Sequence, residues 1–549
     1  MNLFKKILIY LKYIKFNKSQ FKKKNYNNNN IVLVEFNSFT GYHITVSYII
    51  NILADKYKAK IKAYPEIIFH QLIENKINFF KNFLFFLGSK LKLKNFGIFS
   101  SFGTSSFINL SVNNYCRDSS EKIVKKYFKK IKTKENLQNF RLNNILIGDL
   151  IYDSYLKYYK KKTVDIHDES FLYFFQKSIE YYLLWVNFFK THNIKAVVAP
   201  QSTYMAALPL RIAANLDIKS LVCDVERLYS LKKNRIRSHK EYGDFYKIIK
   251  EKEVMKNIVR GRKEAKKRLD LRFSGKVGVD ISYLGKSPYV KREVKKNFIL
   301  KQNNKIKILV APHSFFDAPH ALGNHLFADY FEWLVYIFEL SQKTDYDWYI
   351  KCHPQFHQNT DPTASIVKFL CTKYKSIKYL QPSVSHNKLI SEKIDYVVTC
   401  NGTIALEYPY LGVYAINGSI NSPVSSFKFN YNPHSKKELN QIIMNLKKKN
   451  KKKIFKNEIL NFYFLKNIYF SNNWFFVNYN DLIRYCASHR DVLRSFKAYE
   501  FFLKNYNPIF FANKKKSIKR FIESKDYIYN FKHEGISLKE HMLMQEKLY

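Results

Sequence analysis

The chain has 549 residues, which at roughly 150 residues per domain predicts two to four domains. A hydrophobic fraction of 46% is ample for packed cores and excludes a globally disordered chain. No stretch reaches the roughly 18–20 uninterrupted apolar residues of a membrane span, so we do not expect an integral membrane protein.

The six cysteines are scattered and form no Cys-x-x-Cys pair. This pattern argues against a disulfide scaffold and a structural zinc site, and it is typical of a reducing compartment. His313, His320 and His325 lack the spacing of metal ligands, so we expect no metal. The sequence also contains no P-loop, no GxGxxG fingerprint and no GxSxG elbow.

The formal net charge of +50 is typical of proteins that bind nucleic acid or anionic membranes. However, Lys, Asn, Ile, Phe and Tyr are abundant together, and these residues share A/T-rich codons, so genome composition explains much of the excess. A non-catalytic polyanion binder is one alternative function. Because the chain has no RNP-like, helix-turn-helix or zinc-finger signature, we expect no specific nucleic-acid partner.

Residues 1–30 stand apart as a basic segment and linker. Apolar side chains recur at helical spacing over residues 1–16 with lysines between them, which predicts an amphipathic helix. Two interpretations stay open: the helix lies on an anionic membrane surface, or it is an ordinary surface helix docked on the first domain. The apolar run is too short for a signal peptide, and residues 25–30 form a polar linker.

Short β-rich runs alternate with helical stretches over residues 31–270, which predicts a mainly parallel sheet covered by helices. The predicted strands are residues 31–35, 59–64, 96–100, 144–147, 196–200 and 220–224. The predicted helices include residues 121–131, 171–189 and 204–215, and residues 226–271 are expected to form a helical connector.

A second series of the same kind lies within residues 271–434 and has the spacing of a doubly wound domain. Its predicted strands are residues 306–311, 348–352, 377–380, 395–399 and 413–417, with helices at 326–342, 363–374, 385–392 and 403–411. Residues 435–549 are helical in pattern, basic and aromatic. The expected fold class is therefore α/β: two tandem Rossmann-like domains with a central cleft, plus a basic helical C-terminal region.

Polar side chains follow three strands of the second series directly. In open α/β sheets ligands bind at the carboxyl ends of the strands, so these side chains are expected to meet at one edge. The three segments are residues 313–320, which include His313, Asp317 and His320, then Lys351 with His353, and residues 399–407 with Asn401, Gly402, Thr403 and Glu407.

The last of these segments reads as a strand, a glycine turn and a helix. Gly402 permits a tight turn, the first helix amides can receive phosphate oxygens, and Thr403 can add a hydroxyl. Glu407 follows one helical turn later, where its carboxylate could accept hydrogen bonds from a ribose. The alternative is that Thr403 is only a helix N-cap and Glu407 a solvated surface residue.

Several motifs resemble those of bacterial capsular and surface-polysaccharide biosynthesis proteins. They are Ala-Pro-His-Ser-Phe-Phe-Asp-Ala-Pro-His at 311–320, Leu-Phe-Ala-Asp-Tyr at 326–330 with Trp333, Lys-Cys-His-Pro at 351–354, Asp-Tyr-Val-Val-Thr at 395–399 with Asn401, Gly402, Thr403 and Glu407, and Ile-Gly-Asp-Leu-Ile-Tyr-Asp at 147–153. The chain is thus similar over residues 31–417 to GT-B glycosyltransferases, including the capsule Kdo-transferase group. That family often has Ser-Ser or Ser-Thr where this chain has Gly402-Thr403.

The resemblance implies a nucleotide-sugar donor in the second domain, a polysaccharide or glycolipid acceptor in the first, and no further cofactor. His313, Lys351, His353, Asn401, Gly402, Thr403 and Glu407 are the donor-binding candidates, with His353 and Thr403 on the phosphates and Glu407 on the ribose. A sugar-nucleotide 2-epimerase or a polyol-phosphate transferase is the alternative within enzymes. The expected location is cytoplasmic, with peripheral contact to the inner face of the membrane as one interpretation.

An inverting transfer needs a base that deprotonates the acceptor hydroxyl. The candidates are Glu35 and His43 in the first domain and Asp317 and His320 in the second. Asp317 ranks first because it follows a strand closely, Pro319 stiffens its loop and histidines flank it. The alternative is that Asp317 only closes a turn through its own backbone.

Overall fold

The computed structural model describes residues 2–21, 26–65, 69, 73, 79–110, 114–280, 287–289, 298–357, 361–447 and 454–549. Two separate sheets carry the architecture, and each is built from strands joined by helical crossovers. The prediction of two tandem Rossmann-like domains is confirmed at this level. The domain limits at residues 31–270 and 271–434 stay predictions, although each range holds one large sheet.

The first sheet has six strands in the order β3-β2-β1-β6-β7-β8. All neighbours are parallel except β8, which runs antiparallel to β7 at the edge. Strands β4 and β5 form a separate two-stranded hairpin. The strands are β1 (Asn30–Phe36), β2 (Lys60–Pro65), β3 (Thr104–Phe107), β4 (Arg141–Leu142), β5 (Ile145–Leu146), β6 (Asn193–Ala199), β7 (Lys219–Cys223) and β8 (Leu228–Leu231).

The second sheet is fully parallel and has the order β11-β10-β9-β12-β13. Its strands are buried throughout most of their length, as expected for a sheet covered on both faces. All five predicted strands of this half are confirmed within one residue or two. They are β9 (Lys307–Val310), β10 (Asp347–Lys351), β11 (Ile377–Leu380), β12 (Tyr396–Thr399) and β13 (Tyr414–Asn417).

Helices cover both sheets and fill the chain after the second sheet. In the first half they are Leu3–Gln20, Thr40–Tyr57, Phe79–Leu91, Asn95–Ser101, Asn114–Tyr127, Lys134–Gln138, Gly148–Tyr159, Glu169–Thr191, Leu208–Asn215, Phe245–Ile249 and Lys252–Phe273. In the second half they are Tyr330–Ser341, Thr363–Lys373, His386–Ser391, Ile404–Tyr410, Lys436–Met444, Lys456–Phe464, Tyr479–Cys486, His489–Arg494, Lys497–Lys504, Pro508–Glu523, Phe531–Glu534 and Leu538–Glu546. No helix of the described part is long and apolar enough to cross a membrane.

The structure departs from the sequence predictions for the first half at four places. Residues 96–100 are helical. The strand prediction was wrong because the periodicity of so short an apolar run does not distinguish a strand from a helix. Residues 144–147 belong to the small hairpin, whose turn residues Asn143 and Asn144 both have positive φ. Strands β3 and β8 were not predicted, and β8 lies inside the expected helical connector.

The C-terminal helices pack back onto the first half of the chain. The Tyr499 ring stacks on Tyr13 of the N-terminal helix at 4.1 Å, and residues 474–529 share a core with the first sheet. Helix Lys456–Phe464 instead packs on helix Lys252–Phe273, so closely that a Cβ at Gly261 would lie 2.6 Å from the Phe464 ring. The C-terminal helices therefore extend the core of the first half of the chain.

Candidate functional site

The order of the second sheet reverses between β9 and β12, the central pair of parallel strands. Their carboxyl ends, at Val310 and Thr399, open into the loops that carry His313 and Asn401. Such a switch point is where doubly wound sheets bind ligands, because the two loops diverge and leave a crevice. The fold therefore brings two of the predicted motifs together at one edge.

His313 has a defined protonation state at this edge. The backbone N–H of Asn401 donates to its Nε2 at 3.0 Å, so Nε2 must be an acceptor and the neutral ring carries its proton on Nδ1. Burial, and to a smaller extent the charge of the nearby His353, lower the pKa of His313 to about 4, which keeps the ring neutral. Among the described residues no partner is seen for Nδ1–H, which is therefore a donor available to a ligand.

Thr403 holds the N-cap position of its helix, but its side chain does not cap that helix. Its backbone is already helical, its side chain makes no capping hydrogen bond, and it is exposed. The preceding Gly402 sits in a tight turn, where a Cβ would lie 2.9 Å from Oγ1 of Thr399. Side-chain capping by Thr403 is not seen, its hydroxyl stays available for a ligand, and its predicted phosphate role stays a prediction.

Lys351 ends β10 with a buried side chain, and its Nζ lies 3.3 Å from Nε2 of His386. Burial lowers the pKa of Lys351 to about 8. The Tyr408 hydroxyl lies 2.8 Å from Nδ1 of the same histidine. Burial, and then the charge of Lys351, lowers the pKa of His353, which is exposed two residues after the lysine.

Glu407 is buried and bonded to protein on both oxygens, contrary to the solvated alternative. Arg272 pairs with one oxygen and the Tyr289 hydroxyl donates to the other. Burial, and then the charge of this carboxylate, raise the pKa of the Tyr289 hydroxyl well above its ordinary value. A ribose hydroxyl could bond to Glu407 only by displacing Arg272 or Tyr289, so these two side chains compete with the predicted ribose contact.

His320 pairs with Asp153 of helix Gly148–Tyr159, across the boundary between the two halves. Nδ1 of His320 lies 2.6 Å from Oδ1 of Asp153, and the His320 backbone N–H donates to Oδ2 at 3.2 Å. Burial alone would lower the pKa of His320, but the Asp153 carboxylate outweighs it and raises the pKa. Nε2 is buried without a hydrogen-bond partner among the described residues.

Four rings connect this pair with the switch point. The His313 ring stacks on Tyr330 with centroids 4.8 Å apart, Tyr330 lies 5.3 Å from His325, and His325 lies 6.3 Å from His320. Both nitrogens of His325 are engaged, by the Ser419 hydroxyl at 2.6 Å and by the Pro319 carbonyl. His325 therefore fixes the loop, whereas His313 and His320 each keep one nitrogen for other chemistry.

A second charged cluster supports helix Gly148–Tyr159. Arg211 makes two bonds to Asp149, at 2.6 and 2.9 Å, and Arg237 adds a third at 2.6 Å. Burial raises the pKa of Asp149, but the two guanidiniums outweigh it and hold the pKa well below its usual range. Asp149 is thus a structural anion that fixes the helix carrying Asp153.

Asp317 is exposed in the same loop, and the Tyr204 hydroxyl approaches its Oδ1 at 3.4 Å. The ammonium of Lys157 lies 3.7 Å from the centroid of the Tyr204 ring, so the surroundings are cationic. The next residue, Ala318, has a φ of 36°, which marks a tight turn in the loop. The predicted role of Asp317 as base stays a prediction.

The two base candidates of the first half are both buried. His43 uses both ring nitrogens within the protein, with the Tyr499 hydroxyl at 2.5 Å and the Asn37 carbonyl at 3.0 Å. Burial lowers its pKa to about 4. These contacts give His43 a supporting role instead of a free nitrogen at the cleft. Glu35 ends β1 and accepts a bond from Asn37 at 3.4 Å, and its role stays a prediction.

Sequence reasoning missed four residues of the site: Asp153, Arg272, His386 and Lys466. Lys466 lies in a π-helical turn after Phe464, where its carbonyl accepts a bond from Arg227 at 3.0 Å. Burial lowers the pKa of Lys466 to about 8, and the guanidiniums of Arg227 and Arg272 add to the effect. The π-turn is a local irregularity frequent at functional sites, but its pattern is not visible in a sequence. Only Asp153 had a signal, within the motif at 147–153.

No group of three or more His, Cys, Asp or Glu side chains within the described ranges could hold a metal ion.

No protein-family model matches the sequence, and no curated protein is significantly similar to it. Among solved structures the chain is similar to the UDP-GlcNAc 2-epimerase from Neisseria meningitidis bound to UDP-GlcNAc, with a TM-score of 0.22, 10% identity and coverage of 87% of this chain and 100% of that chain. It is also similar to a glycosyltransferase from Rickettsia africae, with a TM-score of 0.22, 12% identity and coverage of 88% and 100%. Likenesses this low carry no argument about function.

Proposed function

We propose that the chain is a GT-B glycosyltransferase, which moves a sugar from a nucleotide-sugar donor to a surface polysaccharide or glycolipid acceptor. The observation that carries the proposal is the pair His320–Asp153, which joins the two halves of the chain beside the switch point of the second sheet. The resemblance of the motifs to capsule biosynthesis proteins, including the Kdo-transferase group, supports the same class.

The donor phosphates occupy the switch-point edge in this proposal. Nδ1–H of His313 and the hydroxyl of Thr403 donate hydrogen bonds to phosphate oxygens. The ammonium groups of Lys351 and Lys466 supply positive charge, because both pKa values of about 8 leave them largely protonated at neutral pH. Preorganised donors of this kind stabilise the charge that builds up on a leaving nucleotide, without a requirement for a metal.

The acceptor hydroxyl approaches from the first half. Its oxygen attacks the anomeric carbon while the bond from that carbon to the phosphate oxygen breaks, and its proton passes to Nε2 of His320. Asp153 holds the Nδ1–H of His320, so the free electron pair of the neutral ring lies on Nε2. Because Nε2 is buried, the two halves must separate before the acceptor enters.

The test is a transfer assay with the full chain. It is incubated with radiolabelled nucleotide sugars, with and without a polysaccharide or glycolipid fraction. We expect label in the acceptor and free nucleotide in solution, and loss of transfer in His320→Gln. His167→Gln, which changes an exposed histidine outside the site, is the matched control.

Two outcomes would reject the proposal. Epimerisation of the sugar nucleotide without any acceptor would identify a sugar-nucleotide 2-epimerase instead. No turnover, together with nucleic-acid binding that weakens steeply with salt, would identify a polyanion binder.

A further inference from the structure

Two helices of the first half both pack on the short helix Asn95–Ser101. Helix Leu3–Gln20 contacts it so closely that a Cβ at Gly97 would lie 2.2 Å from the Tyr10 hydroxyl, which donates to the Lys94 carbonyl at 2.9 Å. Helix Phe79–Leu91 also packs on it, with the Phe85 and Phe96 rings 5.1 Å apart. The two helices are therefore neighbours on one part of the surface.

Both helices expose large apolar side chains. In helix Leu3–Gln20, Ile9 and Tyr13 face the protein core, while Phe4 is 76% exposed. At 100° per residue its exposed apolar positions cover the arc next to Tyr10, the residue that contacts the short helix. We call the following exposed residues the apolar part of the two-helix surface: Leu3, Phe4, Ile7, Leu8, Leu11, Phe83, Leu84, Phe86, Leu91 and Leu93.

The two segments that form this surface carry only positive formal charge. Residues 2–21 and 79–110 contain no aspartate or glutamate. Exposed lysines surround the apolar side chains, and these complete the two-helix surface: Lys6, Lys12, Lys15, Lys18, Lys90, Lys92 and Lys94. A second copy of the chain would place like charges against each other, so this surface is poorly suited to self-association.

We propose that the two-helix surface docks on an anionic lipid bilayer. Apolar side chains enter the boundary between headgroups and acyl chains, and the lysines neutralise the anionic headgroups around them. The combination commits to this occupant, since a nucleic acid would use the charge but leave ten large apolar side chains in water. The proposal does not depend on which reaction the site performs.

The test measures flotation of the full chain with two kinds of vesicle, pure phosphatidylcholine and phosphatidylcholine with about 30% phosphatidylglycerol. We expect binding to the anionic vesicles and little to the neutral ones. Lys90→Gln/Lys92→Gln/Lys94→Gln should weaken that binding roughly a hundredfold, at about fivefold per lysine near such a surface. Phe4→Ser/Phe86→Ser should weaken it at least about tenfold, because two buried rings are lost from the bilayer.

The matched controls lie on helix Lys252–Phe273, which is also basic. Met255→Ser/Val259→Ser removes two side chains that are 61% and 74% exposed, and Lys252→Gln/Lys256→Gln/Lys263→Gln removes three exposed lysines. Both should bind vesicles like the wild type, with unchanged thermal unfolding in all variants. If the control variants lost as much vesicle binding, net charge and general hydrophobicity would explain the binding without the two-helix surface, and the proposal would be overturned. So would absent vesicle binding, or a dimer of the wild type that Phe4→Ser/Phe86→Ser dissociates.

Discussion

Nδ1 of His320 lies 2.6 Å from Oδ1 of Asp153, and this contact joins the loop after β9 to a helix of the first half. A carboxylate at this nitrogen fixes the tautomer and leaves Nε2 as the acceptor. Because Asp149 anchors the same helix through Arg211, the position of Asp153 is set by a buried ion pair one turn away. The Arg211–Asp149 ion pair thus helps to hold Asp153 in position to pair with His320.

Asp153→Asn should lower turnover by roughly 10² or more, with nearly unchanged donor affinity, because general-base catalysis depends on the orientation and basicity of His320. The carboxylate raises the pKa of His320 and burial lowers it, so the variant should also shift the acidic limb of the pH–rate profile to lower pH. Steady-state kinetics over pH measure both effects. Asp165→Asn, at an exposed aspartate nearby, is the control, and an unmoved acidic limb would count against this role.

The pair should also make stability depend on pH. Burial lowers the pKa of His320, but the Asp153 carboxylate outweighs burial and raises the pKa above its unfolded value. The charged ring therefore stabilises the native state fully below about pH 6.5. That contribution is lost as the pH rises through the native pKa. Burial also raises the pKa of Asp153, which gives a change of the same sign. The difference in unfolding free energy between wild type and His320→Gln should therefore shrink from acidic to alkaline pH, and a difference that grows would contradict the pairing.

Thr403→Val should weaken donor binding by about 0.5–1.5 kcal/mol, or more if the lost hydrogen bond is to a charged phosphate. Thermal stability should not change, because the hydroxyl makes no capping bond and the side chain is exposed. Thr403→Ser keeps the hydroxyl and is the matched control for binding, which calorimetric titration measures. A destabilised Thr403→Val with normal donor affinity would restore the N-cap interpretation.

Glu407→Gln should destabilise the fold by about 3 kcal/mol, because it leaves the buried Arg272 guanidinium without its anionic partner. The ribose role that the sequence predicts for Glu407 would instead give a weaker donor complex with an intact fold. Urea unfolding separates the two, since a purely ligand-binding role leaves the midpoint in place. Combining Glu407→Gln with Arg272→Met removes the uncompensated charge and should recover part of the stability.

The second sheet could be predicted closely because each of its strands is a short apolar run that ends at a polar segment. The first half was harder. Residues 96–100 have the composition of a buried strand, yet Gly97 lets the N-terminal helix approach and the run folds as a helix. Edge strand β8 carries no alternation that would separate it from the basic region around it.

The site divides in the same way. Strand-end motifs predicted His313, Lys351 and Thr403 as site residues, since local spacing decides which residues follow a strand. The pairings between distant parts of the chain were not visible, although the motif at 147–153 already included Asp153: Arg272 precedes Glu407 by 135 residues, and Asp153 precedes His320 by 167. The sequence pointed to Glu407 and His320 as candidates, but only the packing of the two halves shows which residue each of them pairs with.

The central prediction is that a nucleotide binds at the carboxyl ends of β9, β10 and β12. Hydrogen exchange of the full chain with and without UDP, GDP, ADP, CDP or CMP tests it most directly, because amide protection reports where a ligand sits. At least one nucleotide should protect residues 311–320, 351–354 and 399–407 together, and Lys351→Met should weaken this protection. Protection confined to other segments, or none with any of the five nucleotides, would contradict it.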